Sequence, residues 1–135
     1  MSDKTDTILV PAGESITLYR FVKVATDVGG NATIEQGDTG GEKCIGVATN
    51  SAASGEDVLV AIAGYALVDF AEDCPLGSEV TTDTSGKAVI ADAENDFKLG
   101  YAAPEPVDGT CAQIASGTRG RVYLYANRNV QAPAP

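Results

Sequence analysis

The chain has no histidine and no tryptophan, and aromatic residues make up only 6% of its 135 residues. Without histidine, Ser-His-Asp and Cys-His catalytic arrangements are excluded, together with the most common general base. Apolar residues nevertheless account for 44% of the chain, as in an ordinary globular protein. Because Ala and Val supply most of them, the sequence predicts a single domain with a core of small side chains.

Clusters of basic residues are also missing. Nine Lys and Arg against nineteen Asp and Glu give a net charge of −10, which argues against phosphate backbones or anionic lipid as the main partner. The longest apolar stretch, Val58 to Val68, covers 11 residues, whereas a membrane-spanning helix needs about 20. We therefore predict no nucleic-acid partner and no membrane partner.

The three cysteines, Cys44, Cys74 and Cys111, are spread evenly along the chain. No C-x-x-C pair and no histidine accompanies them, so neither a zinc site nor a redox motif is predicted. Buried free thiols in a reducing compartment are expected. A disulfide between two of them, or between subunits, is the alternative. No metal or other cofactor is predicted.

Strands and turns account for almost the whole chain. "ITLYRFVKV", Ile16 to Val24, alternates as a strand does, and "GEDVLVAIAGYALVDF", Gly55 to Phe70, is the longest apolar segment. Turn signals recur about every 8 to 15 residues, which is typical of an all-β sandwich or barrel. We predict an all-β fold, a small β-barrel or β-tulip-like sandwich over residues 15–126. An extended N-terminal arm (1–14) and a short C-terminal tail (127–135) flank it.

The Gly55 to Phe70 segment is apolar on both faces when it is read with a period of two. One face, predicted to lie in the core, carries Val58, Val60, Ile62, Ala66, Val68 and Phe70. The other carries Leu59, Ala61, Ala63, Tyr65 and Leu67. Either the domain's own second layer or a neighbouring subunit covers this second face, and Ala61, Ala63 and Tyr65 are the candidates for a subunit contact.

The last predicted strand, "GRVYLYA", also has a second face whose covering partner must be identified. Val122 and Leu124 are predicted to face the core, while Tyr123 and Tyr125 lie beside Arg121 on the other face. Two tyrosines next to an arginine make a composition favoured at protein interfaces. We predict Tyr123 and Tyr125 as interface residues, and an exposed ladder without a partner is the alternative.

The chain contains few residue patterns that are typical of catalytic sites. "GDTGGEKC" fails the phosphate-loop pattern because Glu42 precedes Lys43 and Cys44 takes the hydroxyl position. The acids Asp92, Glu94 and Asp96 fall in a turn, where solvated carboxylates are the rule. We predict that the protein is not an enzyme.

An ordered series of short motifs resembles the capsid decoration (cement, or head-stabilising) proteins of tailed bacteriophages. In order, these are "GVA", "GEDVLV", "GSEV", "DTSGKA", "GYA" and a closing "VYL", within roughly residues 45–126. The triplets "GVA" and "GYA", at 46–48, 64–66 and 100–102, also suggest a faint internal duplication, although such common residues recur by chance.

The resemblance implies a homotrimer that binds the major capsid protein at three-fold sites on the outer surface of the virion's capsid. Such a protein is made in the host cytoplasm and stabilises the expanded shell. The resemblance and the acidic composition together predict a structural protein. A carbohydrate- or host-surface-binding module on the virion is the alternative, although the absence of Trp disfavours it.

The N-terminal segment fits a shell-binding role. Thr7, Ile8, Leu9, Val10 and Pro11 are predicted as a capsid-binding arm that adds a strand to an exposed edge of the shell. Its removal is expected to weaken binding and to leave the fold intact. A first strand of the domain itself, or a disordered tail, is the alternative.

Overall fold

All regular secondary structure is β in the residues that the computed structural model describes, namely 6–94, 96–103 and 113–125. Within these ranges no helix is long and apolar enough to cross a membrane. The strands are β1 Asp6–Pro11, β2 Phe21–Thr26, β3 Ala32–Gln36, β4 Gly46–Ala48, β5 Asp57–Asp69, β6 Cys74–Pro75, β7 Glu79–Thr82, β8 Ala88–Ile90, β9 Gly100–Ala103, β10 Gln113–Ile114 and β11 Arg119–Leu124. The predicted all-β fold is confirmed.

Two successive parts of the chain share one pattern of strand pairing. In repeat 1 (residues 6–63), β1 pairs with β5, β5 with β4, β4 with β2, and β2 with β3. In repeat 2 (residues 64–124), the second half of β5 pairs with β11, β11 with β9, β9 with β7, and β7 with β8. Parallel bridges, Ala12 to Ile34 and Phe70 to Ala88, close the two rings. Both repeats belong to one nine-stranded sheet, and each curls into a small five-stranded barrel that a single bridge joins.

Local sequence agrees with this duplication. Gly46 and Gly100 begin the equivalent strands β4 and β9, so the triplets "GVA" and the second "GYA" occupy equivalent positions. The turns at 53–55 and 115–117 both read Ala-Ser-Gly and both end on a glycine with positive φ. Gly64, in the remaining triplet, has a different role. It marks the point where β5 changes its partner from β1 to β11.

The core is divided between the two barrels. Inside repeat 1 lie Ala12, Ile16, Val22, Ile34, Ala48, Ala52, Val58 and Val60. A second cluster joins the interior of repeat 2 to side chains from repeat 1, and includes Phe21, Cys44, Val47, Ala61, Val68, Phe70, Cys74, Val80, Ala88, Ala102, Val122 and Leu124. Repeat 2 thus covers part of the outer face of repeat 1, because that face is apolar and made of small residues.

The first predicted strand begins later than the alternation indicated. Only residues from Phe21 onward form β2, whereas Ile16 makes a single bridge with Ala52. The chain turns at Tyr19, whose φ of 68° lies in the left-handed region and whose N–H donates to Ala48 O at 2.8 Å. Glycine-rich sequence also concealed β3, which forms a hairpin with β2 across a turn capped by Asp27.

The described part of the N-terminal segment is a strand of the domain. Residues 6–11 pair with β5 as β1, and Ala12 is buried in repeat 1. The boundary predicted at residue 14 therefore does not separate an arm from the barrel, and the alternative reading of this segment is the observed one. Residues 1–5 and the predicted tail, 127–135, lie outside the described residues.

Candidate interaction surface

An aromatic ladder crosses three strands on the outer face of repeat 2. The strand register sets Tyr65 of β5 opposite Tyr123 of β11, and Tyr123 opposite Tyr101 of β9. The ring centroids of Tyr65 and Tyr123 are 5.1 Å apart in an edge-to-face arrangement, and those of Tyr101 and Tyr123 are 5.4 Å apart. Such contacts hold each ring in place, because aromatic quadrupoles favour these geometries.

A cation and an exposed aliphatic side chain extend the ladder. The Arg121 guanidinium lies 4.5 Å from the centroid of the Tyr65 ring, a cation–π geometry. Leu67 lies directly opposite Arg121 and is 42% exposed, while Tyr123 is 37% exposed. We call Tyr65, Leu67, Tyr101, Arg121 and Tyr123 the Tyr surface. Its composition is that of a protein interface.

Tyr125 is fixed at the end of the ladder. Its hydroxyl donates to the Glu79 carboxylate at 2.7 Å, and its ring lies 6.3 Å from that of Tyr101. Burial, and then the neighbouring Glu79 carboxylate, raise the pKa of Tyr125 well above its usual range. Tyr125 therefore stabilises the ladder from within the domain, and its hydroxyl stays protonated at neutral pH.

The alanines that were predicted to contact a sister subunit behave differently. Ala61 is fully buried and packs in the domain's own core with Phe21 and Val47. Its assignment to a subunit interface is wrong for a folded copy, because repeat 2 covers this side chain. Ala63 is half-buried at the end of the β1–β5 pairing. Of the predicted interface residues, the structure brings Tyr65 and Tyr123 into direct ring contact.

Tyr101, the residue that links the ladder, was missed in the sequence. Its triplet, "GYA", predicts a strand, but the neighbour of that strand depends on the order β5–β11–β9. Tyr101 also connects Tyr123 to Tyr125. The internal duplication is the one signal that could have found it, since β9 is equivalent to β4, which lies between β2 and β5.

Arginines gather beside the Tyr surface. The Asp69 carboxylate accepts from Arg20 Nε at 3.1 Å and from Arg119 Nε at 2.8 Å. Arg119 also lies 3.9 Å from the centroid of the Tyr19 ring. Arg20, Arg119 and Arg121 thus share this region with two carboxylates, Asp69 and Glu79, in a chain whose net charge is −10. The surface is therefore locally basic and suited to an acidic partner.

A second exposed surface lies on repeat 1. Leu9 of β1 is opposite Leu59 of β5, and these side chains are 62% and 40% exposed. Asp57 is also exposed, and it lies two residues before Leu59 on the same face of β5. We call Leu9, Leu59 and Asp57 the Leu surface. Apolar side chains of this size exposed next to each other are candidates for a contact with another protein.

The outer edge of β1 meets β3 at the Ala12–Ile34 bridge, and before that bridge it forms no ladder with a described strand. The Leu59 carbonyl accepts from Thr49 N at 2.9 Å, and the Leu59 N–H donates to Asn50 Oδ1 at 2.8 Å, both on the side of β4. Leu9 and Leu59 are consequently a non-hydrogen-bonded pair, so the N–H and C=O of Leu9 point away from β5. Among the described strands, β5 is the only one that forms a ladder with β1.

Of the acids considered for catalysis, Asp96 takes part in turn structure. Asp96 Oδ2 accepts a hydrogen bond from the Ala93 N–H at 3.1 Å. In the described ranges no group of three or more metal-binding side chains occurs.

The two described cysteines, Cys44 and Cys74, are free and buried. Burial raises the pKa of Cys44 to about 12 and that of Cys74 to about 11, and nearby carboxylates add to both shifts. Cys111 lies outside the described residues.

Native Cys44 and Cys74 should therefore resist alkylation. At pH 8 we expect labelling by iodoacetamide at least about 100-fold slower than in urea-unfolded protein, because the thiolate is the nucleophile and an ordinary thiol has a pKa near 8.5. Mass spectrometry of labelled peptides over time measures the two rates. Equal rates in native and unfolded protein would contradict the buried positions.

Comparison with known proteins agrees with this architecture. A family model described as phage cement protein matches residues 2–124. The fold is similar to the crystal structure of the head fiber gp8.5 N base in bacteriophage phi29, with a TM-score of 0.69 and 17% identity over 90% of this chain and 95% of that one. No curated protein matches the sequence. The resemblance found in the sequence is confirmed: the chain belongs to the phage cement protein family.

Proposed function

We propose that this phage head structural protein binds the outside of the capsid at three-fold sites as a homotrimer and stabilises the expanded shell. The observation that carries the proposal is the Tyr surface. Tyr65, Tyr101 and Tyr123 are held by mutual ring contacts, so little side-chain entropy is lost when a partner covers them. Preorganised aromatic side chains of this kind dominate the binding energy of many interfaces.

The open edge of β1 is the proposed contact with the major capsid protein. Thr7, Leu9 and Pro11 alternate along the side of β1 where backbone groups are not used by β5, so a strand of the shell can pair there. Pro11 lacks an N–H and limits this pairing at one end. The segment predicted as an arm thus keeps its proposed role while it remains part of the barrel.

Three such edges on one trimer would act together. A single short edge pairing is weak, but a trimer that is held by one contact presents its other two at high effective concentration. Shells decorated in this way gain links between adjacent capsid subunits. The mechanical function then needs no catalytic group.

Binding to expanded, undecorated shells of the cognate phage tests this proposal. Purified protein mixed with such shells should co-sediment and saturate at three copies per three-fold site. Unexpanded shells serve as the control. Absence of co-sedimentation at micromolar protein concentration would contradict the proposed function.

A further inference from the structure

The duplicated fold places the Leu surface and the Tyr surface at equivalent positions. In repeat 1 the register pairs Leu9 with Leu59, and in repeat 2 it pairs Leu67 with Arg121. One step further along each pair of strands, β5 contributes Asp57 in repeat 1 and β11 contributes Arg119 in repeat 2. One pair of equivalent positions thus carries opposite charges, Asp57 in repeat 1 and Arg119 in repeat 2, while Arg121 takes the position of Leu59.

We propose that the Leu surface of one copy binds the Tyr surface of the next copy. This inference rests on the proposed homotrimer and names the two surfaces that would meet in it. Leu9 and Leu59 would cover the exposed parts of Leu67 and Tyr123, while Asp57 would face Arg121. The partner is a second copy of this chain, because the two surfaces are complementary in charge and are both apolar at their centres.

The charges on these surfaces are available for such a contact. Within the described residues, neither Asp57 nor Arg121 takes part in an ion pair. Asp57 is exposed at the start of β5 and lies next to the exposed Glu56. A guanidinium stacked on Tyr65 is held in one orientation, so a carboxylate brought against it gains an interaction with little loss of side-chain entropy.

The Leu surface and the Tyr surface of one chain cannot contact each other. Leu59 and Leu67 lie eight residues apart on the same strand, a separation of up to about 26 Å at 3.3 Å per residue. Contact between two Tyr surfaces would set arginine against arginine, which disfavours a symmetric dimer. A head-to-tail contact remains, and such contacts form closed rings when the rotation between copies allows it.

Charge reversal tests the pairing directly. Asp57→Arg and Arg121→Glu should each weaken the binding of the protein to expanded shells by about tenfold or more, since each sets like charges together. The double variant, Asp57→Arg with Arg121→Glu, should bind within about threefold of the wild type, because the charges are exchanged. Asp92→Arg and Lys43→Glu change the net charge equally at exposed positions elsewhere and should bind as the wild type does.

Cysteine cross-linking gives a second measurement that does not depend on shell binding. In a Cys111→Ser background, the variant Leu59→Cys with Leu67→Cys should form disulfide-linked trimers under mild oxidation, on shells and at high protein concentration in solution. Replacing Val24 and Val28, two exposed valines of the β2–β3 hairpin, with cysteine provides the control, which should give no linked trimers.

The outcomes separate this inference from the proposed function. If the wild type does not bind shells, the proposed function fails, and cross-linking in solution still decides whether the two surfaces meet. If the wild type binds but both single charge variants bind equally well, or if the double variant loses as much as the two singles combined, the inference is wrong. Absence of linked trimers in both settings would also overturn it.

Discussion

Replacing Gly46 or Gly100 with alanine is expected to destabilise the protein by about 3 kcal/mol, at the upper end of the range for overpacked sites. A Cβ at Gly46 would overlap the Ala61 carbonyl oxygen, and one at Gly100 would overlap the Tyr123 carbonyl oxygen. Both obstacles are backbone atoms of the adjacent strand, so neither can rotate aside. The free energy of unfolding, measured by urea denaturation, gives the effect.

The internal duplication predicts that the two substitutions have similar effects. Gly46 and Gly100 occupy equivalent positions in the two barrels, so both substitutions should act by the same mechanism and to a similar extent. Gly29→Ala is the control, because its Cβ would meet only ordinary contacts at 3.4 and 3.5 Å and should change stability by less than about 0.5 kcal/mol. If Gly46→Ala or Gly100→Ala is as stable as that control, the close strand packing described for its repeat is wrong.

Removal of residues 1–11 is expected to destabilise the whole domain, by about 3 kcal/mol or more. The loss of β1 exposes Val58 and Val60, which are fully buried, and burial of a valine side chain contributes about 1.5 kcal/mol or more. It also removes one of the five strands that close repeat 1. The midpoint of urea unfolding measures the change.

This expectation replaces the one drawn from the sequence, in which the truncated chain kept its fold. Leu9→Ser is the matched control, since Leu9 points outward from the same strand and is 62% exposed; its stability should stay within about 0.5 kcal/mol of the wild type. A truncated protein that unfolds at the wild-type urea concentration would show that β1 is dispensable. Point changes in β1, rather than deletions, are therefore the proper test of its shell contact.

Much of the fold could be predicted from local sequence. Alternation correctly placed Val58, Val60, Val68 and Phe70 in the core, because a half-buried strand must separate its two faces. The hairpin at "DTSGK" was also correct: Asp83 Oδ1 accepts the N–H groups of Ser85 and Lys87. Such signals act within a few residues, so a single sequence is enough to read them.

The features that were missed depend on which distant strands meet. The burial of Ala61 results from repeat 2 packing on repeat 1, and β5 alone gives no sign of it. The position of Tyr101 beside Tyr123 and the ion pair of Asp69 with Arg20 likewise follow from the strand order. Repeats as diverged as these share a pairing pattern and a few turn residues, which becomes clear once the strands are aligned in space.

Electron cryomicroscopy of expanded shells decorated with the wild-type protein would show directly where the protein binds. We expect additional density outside the shell at its three-fold positions. Each site should hold three copies in a ring, with β1 against the capsid protein and the Tyr surface between neighbouring copies. Bare three-fold positions, or single copies bound elsewhere on the shell, would contradict this expectation.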